Sequence, residues 1–523
     1  MSPLPLVPLP ASVLESGGTP FRLDDRAVVV GDEDAAALLH RLVATRTGLR
    51  LPHLRPGRDA AGASAAASDA DADAGGRAVI DLAVDGAGRP ESYRLTVTAR
   101  GVRARAADAA GLFYAVHTLV QAIDRRSGSW AVPALEIDDA PRFPYRGVML
   151  DVARHFHDPA TIAAYVERAA ALKFNVLHLH LTDDQAWRLA LDSRPELAAR
   201  SADNAVGGDA GGSYSSADYR GIVAHAASHH MTVVPEFDMP GHTHAVGLAY
   251  PDLVEPPALA ALQGGPADTP VAGEPYRGIG VGFSSLRIGA AVTDAFVAEV
   301  FAELAALTPG PYLHFGGDEA HGTPADAFAD FVSRTSRAIA DLGKTPIAWH
   351  EAGAATGLAP GTIGQYWSFV VPVEGAAEKA RTFVRGGGRL ILSPADAVYL
   401  DMKPDAAASL GLTWANGPTS VERAYAWEPA AVVPGVGEAD ILGVEAPLWT
   451  ETVRDLADID ALAFPRIGAA AEAAWSPATG AVAGRTWESF RERIGGLGPL
   501  WTTLGIRFPA SAEIPWSTAG DAR

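Results

Sequence analysis

The chain has 523 residues, a length that favours two domains, one of them large. Its 42 Lys and Arg against 62 Asp and Glu give a formal charge of −20, which disfavours nucleic acid and anionic membrane surfaces as partners. The sequence contains no cysteine, which excludes disulfides, thiolate metal sites and cysteine nucleophiles. No apolar run approaches the roughly 18 residues of a membrane helix, and the proline-rich start does not resemble a secretory signal. We therefore expect a soluble, cytoplasmic protein.

Residues 1–143 predict a small α/β domain. Strand-like stretches at Ala78–Val84 and Ser92–Thr98 precede a helical pattern at Ala109–Ile123. Residues 59–76 consist entirely of Ala, Asp, Gly and Ser. Such a segment has too little apolar surface to offset its ordering entropy, so we predict a disordered insertion there.

Residues 144–523 predict a (β/α)8 catalytic barrel, because short apolar runs alternate with helical segments. An open doubly wound sheet is the alternative, but no glycine-rich phosphate turn follows the first strand. Predicted helices lie at Pro159–Leu172, Asp294–Leu307 with Thr293 as N-cap, Ala325–Leu342 and Ile459–Trp475. The eight predicted strands are Arg146–Asp151, Asn175–Thr182, Thr232–Phe237, Tyr312–Gly316, Thr345–His350, Thr362–Trp367, Arg389–Ser393 and Ile441–Ala446.

Polar or aromatic side chains stand at or just beyond the C-terminal end of nearly every predicted strand. The loops at that end of a barrel build active sites, so this recurrence favours a catalytic rim. The residues are Asp151, Arg154, Asp183, Asp184, Glu236, Asp238, His242, Asp318, Glu319, Trp349, Glu351, Trp367, Tyr399, Asp401, Trp449 and Glu451.

The strongest candidates for catalysis are Asp318 and Glu319. Gly316 and Gly317 precede them and permit a bend, so the two acids need not point to opposite faces. An isolated pair of this kind would fit a helix N-terminus, but its place at a barrel rim favours catalysis. Adjacent residues cannot easily flank a sugar ring as two glycosidase carboxylates do. A substrate that carries its own nucleophile would resolve this.

Further rim residues suit sugar binding. Indole rings can stack on pyranose faces and wall a small apolar pocket, and charged side chains can bind hydroxyl groups. His242 follows a turn at Pro240 and Gly241, and an Asp183-oriented His242 beside Glu319 would tune the protonation of that acid. The candidate sugar-binding residues are Trp349, Trp367, Trp414, Trp449, Arg154, Asp401 and Glu451.

In their order along the chain, these motifs resemble family 20 glycoside hydrolases, the β-N-acetylhexosaminidases. The resemblance covers roughly residues 144–508, and the small N-terminal domain fits the family's usual partner domain. The matching stretches are 146–156, 178–185, 235–242, 314–319, 348–351, 365–367, 399–401 and 448–451.

The resemblance implies a retaining exo-glycosidase that removes terminal β-linked N-acetylhexosamine from small carbohydrates, without metal or cofactor. Its mechanism is substrate-assisted, through an oxazolinium-type intermediate. Glu319 would be the acid and base, Asp318 would orient the acetamido N–H, and Tyr399 would bind the acetamido oxygen. The remaining implied roles are a relay of His242 and Asp183, a methyl box of Trp349, Trp367 and Trp449, hydroxyl contacts from Arg154, Asp401 and Glu451, and a sugar-binding wall extended by Trp414.

Two other readings stay open at this point, as do the C4 epimer, the aglycone and the oligomeric state. A metal-dependent amidohydrolase could use His178 and His180 with His242, His244 and Asp318. However, two residues follow His180 before the predicted strand end at Asp183, which disfavours a metal at the rim. A non-catalytic sugar-binding protein would be expected to lack the acid or the acetamide-holding residues.

Overall fold

The computed structural model describes residues 3–52, 78–126, 128–264, 268–373 and 375–517, so the predicted insertion at 59–76 lies outside them. Contacts group the chain into two compact units. The domain boundary predicted between residues 143 and 144 stays a prediction. These two units do not correspond to one cut in the chain, because the first unit also contains residues after 470. The first unit contains Met1–Arg142, Ala171–Lys173 and Ala471–Arg523, and the second contains Phe143–Ala170 and Phe174–Ala470.

The first unit is built on a six-stranded mixed sheet of order β1-β9-β5-β6-β4-β3 and a three-stranded sheet of order β2-β8-β7. Helices α1 (Glu33–Thr47) and α2 (Ala109–Ala122) contact each other, and the side chain of Asp32 caps α1 by accepting from the Ala35 N–H. The strands are β1 Ser12–Glu15, β2 Phe21–Arg22, β3 Val28–Gly31, β4 Val79–Val84, β5 Tyr93–Thr98, β6 Gly101–Ala106, β7 Asp124–Arg126, β8 Ser129–Val132 and β9 Leu135–Asp139.

Buried ion pairs and a buried tryptophan hydrogen bond hold the C-terminal stretch in this unit. Asp139 accepts from Lys173 Nζ at 2.8 Å and from Trp475 Nε1 at 3.0 Å. Arg493 holds both carboxylate oxygens of Glu472 at 2.7 Å. Such bidentate pairs are strong when both partners are buried, as they are here.

The second unit is a closed barrel of eight parallel strands, each paired with the next, with the last paired to the first. The predicted (β/α)8 fold is therefore confirmed. Each predicted strand overlaps an observed one, with ends that differ by at most two residues. The strands are β10 Tyr145–Asp151, β11 Val176–His180, β12 Thr232–Glu236, β13 Tyr312–His314, β14 Thr345–Trp349, β15 Ile363–Tyr366, β16 Leu390–Leu392 and β17 Ile441–Leu448.

An apolar layer fills part of the barrel interior and supports the rim. Its buried members come from seven of the strands, as expected for the layered core of such barrels. They are Tyr145, Val176, Val234, Ile347, Ile363, Ile391 and Leu442.

The helices that follow complete the chain. Among the described residues, none is long and apolar enough to cross a membrane, and the cytoplasmic location stays a prediction. The α-helices after β10 are α3 Pro159–Ala170, α4 Glu196–Ser201, α5 Ser216–Ser228, α6 His244–Ala249, α7 Ala291–Leu307, α8 Ala325–Asp341, α9 Ala376–Arg385, α10 Ala395–Val398, α11 Val421–Tyr425, α12 Pro429–Val432, α13 Leu456–Ala463, α14 Arg466–Trp475, α15 Trp487–Gly495 and α16 Gly498–Thr503.

Two helix predictions were wrong in detail. The single helix predicted at Ile459–Trp475 is two, α13 and α14, because Pro465 has no N–H to donate and disfavours helical backbone at Phe464. Thr293 is not an N-cap, since α7 already begins at Ala291 and the Thr293 hydroxyl donates to the Arg287 carbonyl oxygen at 2.7 Å.

Candidate active site

Strand ends place the predicted site residues on one rim of the barrel. Asp318 and Glu319 follow β13, Asp183 follows β11, His242 follows β12, and Arg154 follows β10. In a closed parallel barrel all these ends lie at the same face. The tryptophans and acids after β14 to β17 complete the ring, as the sequence predicted.

A bent backbone brings Asp318 and Glu319 to the rim. Gly316 has a φ of 69°, and a Cβ there would lie 1.6 Å from Oδ1 of Asp238, so only glycine fits. Gly317 has a φ of 95°, and its N–H donates to Oδ1 of Asp238 at 3.0 Å. Glu319 itself has a φ of 45°, which is a strained value for a residue with a side chain and is common at functional sites.

A chain of charged groups runs behind Glu319. Nδ1 of His242 is 3.2 Å from Oδ1 of Asp183, and Nε2 of His242 is 3.5 Å from Oε2 of Glu319. Burial lowers the pKa of His242, but the carboxylates of Asp183 and Asp318 raise it more, so the net pKa is well above its usual value. These carboxylates favour the protonated form of His242, whose Nε2 faces Glu319.

Asp183 also fixes the predicted sugar-binding arginine. Oδ2 of Asp183 lies 2.7 Å from a terminal nitrogen of Arg154 and 2.8 Å from Nε2 of His180. Burial raises the pKa of Asp183, but the charges of Arg154 and His242 outweigh it and lower the pKa below its usual value. Asp183 thus stays ionised, and it connects the relay to Arg154.

Asp318 shares its surroundings with a second buried acid, Asp238, for which the sequence analysis predicted no catalytic role. Burial, followed by the charge of Asp318, raises the pKa of Asp238 well above its usual value. Burial also raises the pKa of Asp318, to about 6, although the His242 charge opposes this. The charge of Asp318 thus disfavours ionisation of Asp238. Its signal was its place in the 235–242 motif beside His242.

Aromatic rings line one wall of the site. Trp349 and Trp449 are buried with ring centroids 6.0 Å apart, and Tyr399 lies 6.2 Å from Trp449. Trp367 is half-buried, and its Nε1 donates to Glu351 at 2.9 Å. These rings belong to one apolar cluster, so the structure brings the predicted box together.

Trp414 stands apart from that buried set. Its side chain is 47% exposed, while its ring lies edge-on to Trp367 at 5.9 Å and to Tyr399 at 5.7 Å. A ring that touches the wall and still faces solvent is placed at the mouth of the pocket rather than in its depth.

Five buried carboxylate oxygens at the rim have no hydrogen-bond partner among the described residues: Oδ2 of Asp184, Oδ2 of Asp238, Oδ1 of Asp318, Oδ2 of Asp401 and Oε2 of Glu451. Burial raises the pKa of Glu451 to about 7, and burial together with the nearby Glu451 raises that of Asp401 well above its usual value. Buried polar atoms are normally satisfied, so these oxygens indicate where a ligand supplies donors.

A buried network that sequence reasoning missed lies under the rim. Glu236 accepts from Trp349 Nε1 at 2.8 Å and lies 2.9 Å from Nδ1 of His314 and 3.2 Å from Nε2 of His178. It also bonds Nδ1 of His180, the ring that holds Asp183. Glu236 therefore connects the aromatic wall to the relay.

Two histidines of the metal-hydrolase alternative, His178 and His180, are part of this network. His178 and His180 are fully buried on β11, and Nδ1 of His178 lies 2.9 Å from Glu445. His244 points elsewhere, with Nε2 at 2.8 Å from the Glu274 carbonyl oxygen. Ligand atoms spaced closely enough for a metal occur in the sets His178–Glu236–His314, His180–Asp183–Asp238, Asp183–Asp184–His242 and Asp238–His242–Asp318.

Comparison with known proteins places this site in a family. Residues 143–478 match the model for the glycosyl hydrolase family 20 catalytic domain, and residues 4–140 match the model for domain 2 of that family. A β-N-acetylhexosaminidase from Cellulomonas fimi is 41% identical over 436 residues, which are 83% of each chain.

Two solved structures agree with this match. A glycoside hydrolase family 20 β-N-acetylglucosaminidase has a TM-score of 0.88 and 56% identity, over 98% of this chain and 99% of that one. The Streptomyces plicatus N-acetyl-β-hexosaminidase, solved with thio-NAglucal, has a TM-score of 0.85 and 40% identity over 98% of each chain. The chain belongs to glycosyl hydrolase family 20.

Proposed function

We propose that the chain hydrolyses terminal β-linked N-acetylhexosaminides with retention of configuration, and that the substrate's own acetamido oxygen is the nucleophile. The observation that carries this proposal is the placement of the two acids. Asp318 and Glu319 lie 3.7 Å and 3.5 Å from the same nitrogen, Nε2 of His242. Both carboxylates thus converge on one imidazole, whereas an ordinary retaining pair must flank the scissile bond from opposite faces.

Glu319 is the proton donor of the proposed first step. Its side chain is 27% exposed against 10% for Asp318, so it has the better access to a leaving group and to water. The glycosidic oxygen takes the proton from Glu319 as its bond to the anomeric carbon breaks. The acetamido oxygen forms the new bond to that carbon, which gives an oxazolinium ion. Glu319 then removes a proton from water, and the water oxygen attacks the anomeric carbon. The bond from that carbon to the acetamido oxygen breaks, which opens the oxazolinium ring and restores the acetamide.

Asp318 is the proposed partner of the acetamido nitrogen. Positive charge develops on that group as its oxygen attacks, and a buried carboxylate stabilises such charge far more than an exposed one. The unpartnered Oδ1 of Asp318 supplies an acceptor for the acetamido N–H. Tyr399 is buried against Trp449 and is the proposed donor to the acetamido oxygen.

The wall and the acids account for the proposed sugar specificity. Trp349, Trp367 and Trp449 provide an apolar surface for the acetamido methyl group. The unpartnered oxygens of Asp401 and Glu451 can accept hydrogen bonds that sugar hydroxyl groups donate. Arg154 lies 4.9 Å from the Trp449 ring centroid and is proposed to hold a further hydroxyl. Trp414 is proposed to extend this wall at the mouth.

Three nitrophenyl β-glycosides, of GlcNAc, GalNAc and glucose, test the proposal when assayed side by side. We expect hydrolysis of both N-acetylated glycosides, either at similar rates or with a preference for the GlcNAc compound. The glucoside should be cleaved at least about 10³-fold more slowly than the GlcNAc compound, since it has no acetamide. Glu319→Gln should lower kcat/KM for an unactivated glycoside about 10²- to 10⁴-fold while sugar binding remains measurable. Comparable rates on glucoside and N-acetylglucosaminide would refute the proposal.

A further inference from the structure

A group of side chains on the surface of the second unit, apart from the rim, has the spacing of metal ligands. Glu167 of α3, His225 of α5 and His229 just beyond α5 each place a ligand atom within 4.8 Å of the others. Two imidazoles with one carboxylate favour ions such as Zn²⁺, Ni²⁺ or Cu²⁺, whereas Mg²⁺ and Ca²⁺ prefer oxygen ligands. We propose that these three residues form a binding site for a divalent transition-metal ion.

The helix brings the two histidines together and orients one of them. His225 and His229 are four residues apart, so they lie on the same helical face, with ring centroids 4.6 Å apart. Nδ1 of His229 lies 3.0 Å from the carbonyl oxygen of His225. A carbonyl oxygen only accepts, so Nδ1 carries the hydrogen, and in the neutral ring the lone pair is on Nε2. Metal-binding histidines are typically oriented by such a contact.

The neighbouring helix supplies the carboxylate. Oε1 of Glu167 lies 3.7 Å from Nε2 of His225. Tetrahedral Zn²⁺ with bonds of about 2.0–2.2 Å separates its ligand atoms by roughly 3.3–3.6 Å, which the Glu167–His225 pair nearly matches. Nε2 of His225 is buried and makes no hydrogen bond within the described part of the chain, and a metal would satisfy it. The Glu167 side chain is 60% exposed, which leaves space for water as fourth ligand.

Occupancy would join two helices of the barrel. Helices α3 and α5 contact each other, and a surface cavity of about 350 Å³ lies between them with His225 in its lining. An ion held by Glu167 on one helix and His225 and His229 on the other would cross-link them. Binding to the folded state alone stabilises that state by mass action.

Titration of the full chain with Zn²⁺, after dialysis against a chelator, tests the site by isothermal calorimetry. We expect one binding event that His225→Ala and His229→Ala each weaken at least about tenfold, the loss of one strong ligand. Glu167→Gln should weaken it by a smaller factor. At one Zn²⁺ concentration the Tm of the unmodified chain should also rise more than that of either alanine variant.

The matched control is His230→Asn, which removes the adjacent imidazole. His230 has a φ of 58°, a conformation that asparagine tolerates, and this variant should bind Zn²⁺ as the unmodified chain does. Hydrolysis of nitrophenyl β-GlcNAc within twofold of the unmodified rate verifies that each variant is folded. No binding by the unmodified chain at millimolar Zn²⁺, or equal binding by both alanine variants, would overturn the proposal.

Discussion

Single residues of the site differ in how far their chemistry depends on neighbours. Asp318 and Glu319 are adjacent in sequence, yet only Asp318 is held by a second buried acid, Asp238. The sequence predicted these two acids, together with His242 and Asp183, because their motifs lie at predicted strand ends. It could not predict that Asp183 binds Arg154, since that contact depends on how two separate loops fold.

The pH dependence of kcat/KM tests the state of Asp318. Burial raises its pKa to about 6, so the carboxylate is ionised above pH 6 and protonated below it. Protonation removes the negative charge that stabilises the acetamido group, so kcat/KM should fall as pH drops through about 6. Measurement of initial rates across this range gives the acid limb directly.

The control for this limb is Asp318→Asn, which cannot titrate at that position. Its kcat should be about 10²- to 10³-fold lower, and the limb near pH 6 should disappear. A limb of the same midpoint in the asparagine variant would assign the titration to another group. Circular dichroism over the same pH range verifies that the fold is kept.

Strands and loops set the geometry that these residues need. The eight strands were predictable because each is an apolar run between turn signals, and their ends position the rim. The break at Pro465 was missed because the helical pattern continues across it. Glu236 was seen at a strand end, but its four partners lie on strands far apart in sequence, so its connecting role required the fold.

Glu236→Gln tests that connecting role. Glutamine replaces one acceptor oxygen with a donor, so it cannot serve both the Trp349 N–H and the surrounding histidines. We expect kcat/KM for nitrophenyl β-GlcNAc to fall at least about tenfold, the effect of losing roughly one hydrogen bond of positioning. Tryptophan fluorescence should change as Trp349 is released.

Glu445→Gln is the matched control for Glu236→Gln. Glu445 is equally buried and pairs with His178, Gln365 and Tyr145, and it makes no hydrogen bond to a proposed site residue among those the structure describes. Both variants should lose similar stability, about 3–5 kcal/mol at most. An equal loss of kcat/KM in both would mean that the network acts only through stability.

Gly316→Ala tests the turn that presents the acids. Its Cβ would overlap Asp238 and its φ of 69° disfavours alanine, so we expect a loss of at least about 2–3 kcal/mol in the free energy of unfolding, together with low activity. Urea unfolding measures the first and initial rates the second.

Gly343→Ala separates the two causes. Gly343 also has a left-handed φ, 76°, but nothing lies within 4 Å of a Cβ there. This variant should lose only about 1 kcal/mol and keep its activity. If Gly316→Ala were no worse than Gly343→Ala, the close approach to Asp238 would be unimportant.

The whole molecule joins both ends of its chain in one unit. Described residues from both segments, 1–142 and 471–523, belong to one compact unit, and the Leu9 N–H donates to Glu472 at 3.0 Å. Arg493 also donates to the Leu6 carbonyl oxygen at 2.7 Å. Sequence patterns did not indicate this arrangement, because no local signal reports which distant segment a helix will contact.

Arg493→Met should therefore destabilise the first unit. It leaves the buried Glu472 carboxylate without its bidentate partner, which costs about 3–5 kcal/mol. Thermal and urea unfolding measure the loss. Arg491→Met on the same helix, where the arginine lies over the Trp487 ring and has no ion pair within the described ranges, should cost at most about 1 kcal/mol. Equal losses would contradict a special role for the Arg493 pair.

In the proposed reaction the substrate brings its own nucleophile to a site whose two acids converge on His242. The most direct measurement is kcat/KM for nitrophenyl β-glucosaminides whose N-acetyl methyl group carries none, one, two or three fluorine atoms. Fluorine withdraws electrons from the acetamido oxygen, so the rate should fall steadily along the series, by at least about 10²-fold overall, or roughly 2.7 kcal/mol. Rates that do not depend on fluorination would contradict the account.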